Sequence, residues 1–289
     1  MSMRTIIVIA AIALCAGCGG SPQPGGTLRV VAAENTYGDI ARQIGGPHVD
    51  ITSILQDPNA DPHLFEPGTA NGLAVARARV VVQNGLGYDT FMNKLESASP
   101  SKHRDVVTIE HVLRASGNPH LWYDVPKLPR IAAAIERALA RADRRHAQNY
   151  RAGLTRFDRS LAPLDRVVAD IAKAHANAPV AFTEPVPGYL LEATRLRNLA
   201  PEAFTRAIED GTEPPPGAVS QMLALMRDHR VRVLLYNDQA VSPITSRVRS
   251  AARAAGIPVV GVSETLPHGL AFQAWQIAQA RVLQAALGG

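Results

Sequence analysis

Two short stretches of the chain repeat a pattern suited to metal chemistry. Residues 61–67 read DPHLFEP and residues 118–125 read NPHLWYDV, so His63 and His120 each follow a proline and precede Leu and an aromatic residue. Pro62 and Pro119 fix their own backbone angle, and Asp61 or Asn118 is placed to cap the turn that follows. An imidazole held in this way is ordered before any ligand arrives and loses little entropy on binding. The chain has nine histidines, and either of these two alone reads as a loop or capping residue. Together, in matched contexts, they point to a metal site.

The elements around them must do the positioning. TLRVVAAE, VDITSIL and RVVVQNG have the β-rich character of strands, and TYGDIARQIGG and TANGLAVARA read as the helices between them. This βαβ order predicts a mainly parallel sheet with helices on both faces, and both histidines fall in loops of that unit. From Pro126 to about Ala176 no strand is expected. PKLPRIAAAIERALARAD puts Ile131, Ile135 and Leu139 on one helical face, and Pro163 is expected to break or kink the helical stretch that follows. Strand and helix then alternate again through PVAFT, VRVLLYN and IPVVGVS to a closing helix from Leu270. The expected organisation is an N-terminal α/β lobe over 27–125, a helical segment over 126–176 and a C-terminal α/β lobe over 177–289.

The start of the chain predicts export. Arg4 precedes an apolar run, Thr5 to Leu14, that is too short to span a bilayer and right for the core of a signal peptide over 1–17. Ala16 and Gly17 before Cys18 resemble the lipobox of bacterial lipoproteins, which would make Cys18 the lipidated first residue of the mature chain, followed by a flexible linker over 18–26. Cys15 and Cys18 are the only cysteines. The mature domain therefore depends on its hydrophobic core rather than on an intrachain disulfide. Its roughly 260 residues are ample for such a core. The formal net charge is +5, but the arginines of ERALARADRRHAQNYRAGLTRFDRS are interleaved with acids, as on solvated helix faces. That argues against nucleic acid as a partner, and a mildly basic surface suits the neighbourhood of an anionic membrane.

AENTYGDIARQIGG, DPHLFEP, VVVQNGLGYDTFM, NPHLWYDV, AFTEPVPGY and IPVVGVSETLPHG occur in this order. Through them nearly the whole mature chain resembles the metal-binding lipoproteins of bacterial zinc and manganese ABC transporters. The resemblance implies two mainly parallel-sheet α/β lobes bridged by a long helix, the cluster A-I type of solute-binding fold, with a divalent metal between the lobes. It carries the first two ligands onto His63 and His120. The third falls on Glu184, which follows an apolar strand, at the carboxyl end where ligands bind in open α/β sheets. The fourth falls on Glu264, with His268 as a competing candidate. Two neutral imidazoles and two carboxylates around a divalent cation sum to zero charge, which favours burial in a closed cleft.

The resemblance implies Zn(II) or Mn(II) as cargo. Ligand type alone does not separate them; FMNKLESASPSKHRDVVTIEHVLRASG contains only His103 and His111, where zinc members of the family often carry a His-rich loop, and that leans towards manganese. With no P-loop and no membrane-spanning segment in the chain, the permease and its ATPase are expected to be separate polypeptides. The protein itself is expected to be a monomer, lipid-anchored at the outer face of the cytoplasmic membrane, and not an enzyme. Two alternatives are an envelope metallohydrolase, against which stand the missing HExxH and a closed four-ligand shell, and a surface adhesin with a structural metal. Trp122 and Tyr123 are expected to pack, Glu66 to be structural, and Asp124 to cap the helix begun at Pro126.

Overall fold

In the computed structural model the described residues are 26–58 and 62–288, without the His63 side chain. The predicted signal peptide and Cys18 lie outside them. Among the described residues eight strands are present: β1 Leu28–Glu34, β2 Val49–Leu55, β3 Val80–Gln83, β4 Asp105–Thr108, β5 Pro179–Phe182, β6 Arg197–Asn198, β7 Leu234–Asn237 and β8 Val259–Val262. The first lobe carries the helices α1 Asn35–Gly45, α2 Thr69–Arg77, α3 Phe91–Ala98, α4 Ile109–Leu113 and α5 Leu128–Ala142. The helices α6 Ala147–Ser160 and α7 Ala162–His175 link the lobes, and α8 Gly188–Ala193, α9 Glu202–Glu209, α10 Pro216–Arg227, α11 Pro243–Ala254 and α12 Phe272–Ala286 complete the second.

The first sheet has the order β2-β1-β3-β4 and the second the order β6-β5-β7-β8, with every pairing parallel. Both lobes thus use the same spatial order of strands. The central strands β1, β3 and β7 are short apolar runs buried on both faces, as a parallel sheet covered by helices requires. This is the two-lobed α/β architecture expected from the sequence. Two strands were not anticipated. β4 is four residues long and β6 only two, Arg197 and Asn198, both exposed; neither is long or apolar enough to stand out from its flanking turns.

The bridge is the α6 and α7 pair. α6 packs against α1 and α5 of the first lobe, α7 against α8 and α12 of the second, and only Leu161 separates them. Pro163 sits in the first turn of α7, where its missing N–H costs nothing, while α6 stops before it. Gly153 lets α6 press onto the end of α1, because a Cβ there would stand 2.1 Å from the Ile44 carbonyl oxygen.

One hydrophobic core runs through both lobes, from Val30 and Val82 by way of Ile135, Phe157 and Leu164 to Val260 and Leu283. The lobes also share polar contacts. Asn35 and Leu266 exchange hydrogen bonds of 2.8 and 2.9 Å, the Phe272 N–H donates to Asp39 at 2.9 Å, and the Tyr123 hydroxyl donates to the Ser263 carbonyl at 2.7 Å. The loops at the strand ends of the two sheets are therefore held face to face. Among the described residues no helix is long and apolar enough to cross a membrane.

Candidate metal centre

The second lobe contributes two carboxylates through one sheet. Glu184 stands two residues beyond β5 and Glu264 two beyond β8, and β7 pairs with both of these strands. Asn237, the last residue of β7, is placed by that strand order between them. Its Nδ2 donates to Oε1 of Glu264 at 2.8 Å and to Oε2 of Glu184. The loop after β8 is fixed by Gln239, whose side-chain oxygen accepts the N–H groups of Glu264 at 2.6 Å and Thr265 at 3.2 Å. Glu184, Asn237 and Glu264 are each 1% exposed, so both carboxylates are directed by hydrogen bonds rather than by solvent.

The first lobe contributes an imidazole aimed from NPHLWYDV. Asn118 Oδ1 accepts from the His120 backbone N–H at 3.0 Å and lies 2.8 Å from its Nδ1. That oxygen, fixed as an acceptor by the backbone N–H, requires a proton on Nδ1, and Nε2 faces the cleft. Asn118 Nδ2 donates across the lobe boundary to the Pro185 carbonyl at 2.7 Å, directly after Glu184. Behind the loop, Asn84 Nδ2 donates to the Pro119 carbonyl at 2.8 Å, and Trp122 packs edge-on against His120, Tyr88 and Tyr37.

The two contributions meet at His120 Nε2. Glu264 Oε2 lies 3.2 Å from it and accepts from the Tyr88 hydroxyl at 2.9 Å, while Glu209 Oε2, from the end of α9, lies 3.9 Å from the same nitrogen. Burial draws the His120 pKa down, but Glu209, Glu264 and Glu184 outweigh it and leave the imidazole above its usual range. Burial, reinforced by the charges of Glu264 and Glu34, pushes the Tyr88 hydroxyl well up, so it remains a donor. The rise at His120, won against burial, means that the three carboxylates put negative potential at the point its ring faces, which favours a cation there.

A family model described as zinc-uptake complex component A, periplasmic, or ZnuA, matches residues 30–286. The chain belongs to this family. The manganese-binding lipoprotein MntA of Halalkalibacterium halodurans is 29% identical over 176 residues, which cover 57% of this chain and 57% of that protein; this chain thus aligns with little more than half of that relative. A putative metal-binding protein of Treponema pallidum is 23% identical over 266 residues, 85% of this chain and 82% of its own. In fold, the periplasmic zinc binding protein TroA from Treponema pallidum superposes with a TM-score of 0.78 at 18% identity, covering 91% of this chain and all (100%) of that one.

In this ZnuA-family chain, of the residues named from the sequence, Glu184 and Glu264 are joined through Asn237 and His120 meets Glu264. The side chain of His63 lies outside the described residues. His268 is exposed and lines a separate shallow pocket with Asn35 and Arg42. Glu66 is exposed as well. Among the described residues no three His, Cys, Asp or Glu side chains already form a metal-holding cluster; the carboxylates are engaged with Asn237, Tyr88 and His120 instead. The expected capping role of Asp124 is not what the structure shows: its carboxylate pairs with Lys127 Nζ at 2.6 Å and makes no cap hydrogen bond. Orientation of His120 falls to Asn118. Four contributors were not singled out from the sequence: Tyr88, Asn118 as the orienting group, Asn237 and Glu209. Asn237 had a readable signal, since it closes the apolar strand in VRVLLYN at a sheet's carboxyl edge.

Proposed function

We propose that this chain captures a divalent transition metal ion, zinc or manganese, outside the cytoplasmic membrane and hands it to an ABC permease whose ATPase is a further separate chain. The observation that carries the reading is the meeting of donors from both lobes. His120 of the first faces Glu264 of the second at 3.2 Å, and Glu184 is held by the same Asn237 that holds Glu264. His63, which follows β2 in the first lobe, completes the proposed shell.

Held closed, these donors suit storage of the ion rather than chemistry on it. A catalytic metal keeps an open position for water, and four protein ligands fill a tetrahedral shell. Release then requires the lobes to separate, because no single lobe holds more than half of the ligand set. Our reading includes removal of residues 1–17, lipidation of Cys18 and tethering of a monomer through the 18–26 linker. The zinc, manganese and metal-binding names of the relatives support the cargo class.

The test is equilibrium dialysis of the chelator-stripped chain, begun after Cys18, against Mn(II) and Zn(II). One ion per chain, with binding lost in both His120→Ala and Glu184→Ala, is the expected result. A stoichiometry of zero for both metals refutes the reading.

A further inference from the structure

We propose that Glu209 is an additional donor to the captured ion, reaching it from the mouth of the cleft and biasing the site towards Mn(II) over Zn(II). The inference rests on the metal-capture reading above and extends it to a residue outside the four-ligand set. Two donor atoms each about 2.1 Å from one cation stand roughly 3.0 to 4.2 Å apart, from a right angle to opposite sides. Glu264 Oε2 at 3.2 Å and Glu209 Oε2 at 3.9 Å from His120 Nε2 both fall in that interval. Each carboxylate thus stands from Nε2 at a spacing that a shared cation would give.

The placement of Glu209 runs against the helix dipole. It is the last residue of α9, the end at which the helix dipole is negative and an acid is disfavoured. Its side chain is 15% exposed, and it adds a carboxylate to a cleft that already contains Glu184 and Glu264. A residue that breaks a local rule at a site is expected where function compensates, and a divalent cation supplies that compensation.

Glu209 also differs from the other donors in access. The side chains of His120 and Glu264 are fully buried, at 0% each, whereas Glu209 lines an open cleft of about 700 Å³ together with Tyr88, Asn118 and Phe182. Glu202 and Asp210 line the same cleft; among the described residues Arg206 is the one cationic side chain lining it, and it is paired with Glu202 at 2.6 Å. An acidic mouth draws cations inward. Glu209 spans the step between that mouth and the buried shell.

The consequence for selectivity follows from coordination preference. Zn(II) is satisfied by four tetrahedral donors, so a further carboxylate adds little to it. Mn(II) favours oxygen ligands and higher coordination numbers, so the same carboxylate adds to its affinity. The experiment measures dissociation constants for Mn(II) and Zn(II) by chelator competition in the chelator-stripped chain and its Glu209→Gln variant, with melting of the stripped proteins alongside. Expected is a loss of roughly tenfold or more in Mn(II) affinity, with Zn(II) changed by less than about threefold and the stripped melting temperature maintained or raised. Unchanged affinities, or equal weakening for both metals, overturn the role given to Glu209 while leaving metal capture intact. A wild-type chain that binds neither metal overturns both readings together.

Discussion

Replacing Asn118 by alanine tests how the first lobe presents its imidazole. The side chain makes three hydrogen bonds: to the His120 N–H at 3.0 Å, to His120 Nδ1 at 2.8 Å, and to the Pro185 carbonyl of the opposite lobe at 2.7 Å. Loss of the group that orients a metal-ligating histidine typically weakens binding about 10- to 100-fold. Loss of three hydrogen bonds at about 1 kcal/mol each, with partners left partly unsatisfied, removes roughly 2–4 kcal/mol of stability. For a chain of this size that lowers the melting temperature by about 4–16 °C. Asn118→Asp separates the two effects. It keeps an acceptor for His120 but cannot donate to Pro185, so it should retain most metal affinity while losing stability. Melting of the stripped proteins followed by Mn(II) and Zn(II) titration reads both quantities. Affinity within about twofold of wild type in Asn118→Ala, under conditions where His120→Ala abolishes binding, would refute the claim that Asn118 orients the ring.

Three further outcomes are expected. Glu264→Gln removes a buried charged ligand that faces His120, so metal affinity should fall by more than about 100-fold in a titration, beyond the loss expected of a group that only orients a ligand. Gly153→Ala forces a Cβ to within 2.1 Å of the Ile44 carbonyl oxygen, and the resulting shift of α6 should cost about 1–3 kcal/mol or more, seen as a lower melting temperature with unchanged metal stoichiometry. Glu34 is buried against Asp89, and burial followed by the Asp89 charge holds its carboxyl well above the ordinary value of 4.5. The unfolded chain releases that proton as pH rises past the ordinary value while the folded chain retains it, so stability falls from there up to the folded pKa and stays lower above it. Glu34→Gln should therefore raise the melting temperature more at about pH 7.5 than at about pH 5, and a gain independent of pH counts against the assignment.

The parts of this account that were legible in the sequence depend on local chemistry. A proline fixes its own backbone angle wherever it occurs, so the aiming of His120 could be read from NPHLWYDV, and apolar runs separated by helical periodicity disclosed both sheets. Glu184 and Glu264 were readable as strand-end acids with help from the family resemblance. What stayed hidden depends on strand order and on how the lobes meet. Asn237 lies between the two carboxylates because β7 lies between β5 and β8, an order that no stretch of sequence states. Tyr88 gains its role by reaching into the other lobe, and Asn118 by turning its side-chain oxygen back onto the ring two residues on, a contact its place before a proline does not announce. Glu209 lies on a helix whose sequence, EAFTRAIE, reads as an ordinary amphipathic surface segment, and only the packing of α9 against the cleft turns its carboxylate towards His120. Asp124 misled for the complementary reason: an acid before a helix is a common cap, yet Lys127 three residues on took its carboxylate.

The central claim is that a single divalent ion is held between the lobes by donors from both. Crystals of the Mn(II)-loaded and Zn(II)-loaded chain, with anomalous difference density collected at each metal's absorption edge, test it most directly. One strong peak bonded to His120 Nε2 and to the carboxylates of Glu184 and Glu264 is expected. Density bound to one lobe alone, or a peak remote from His120, would contradict it.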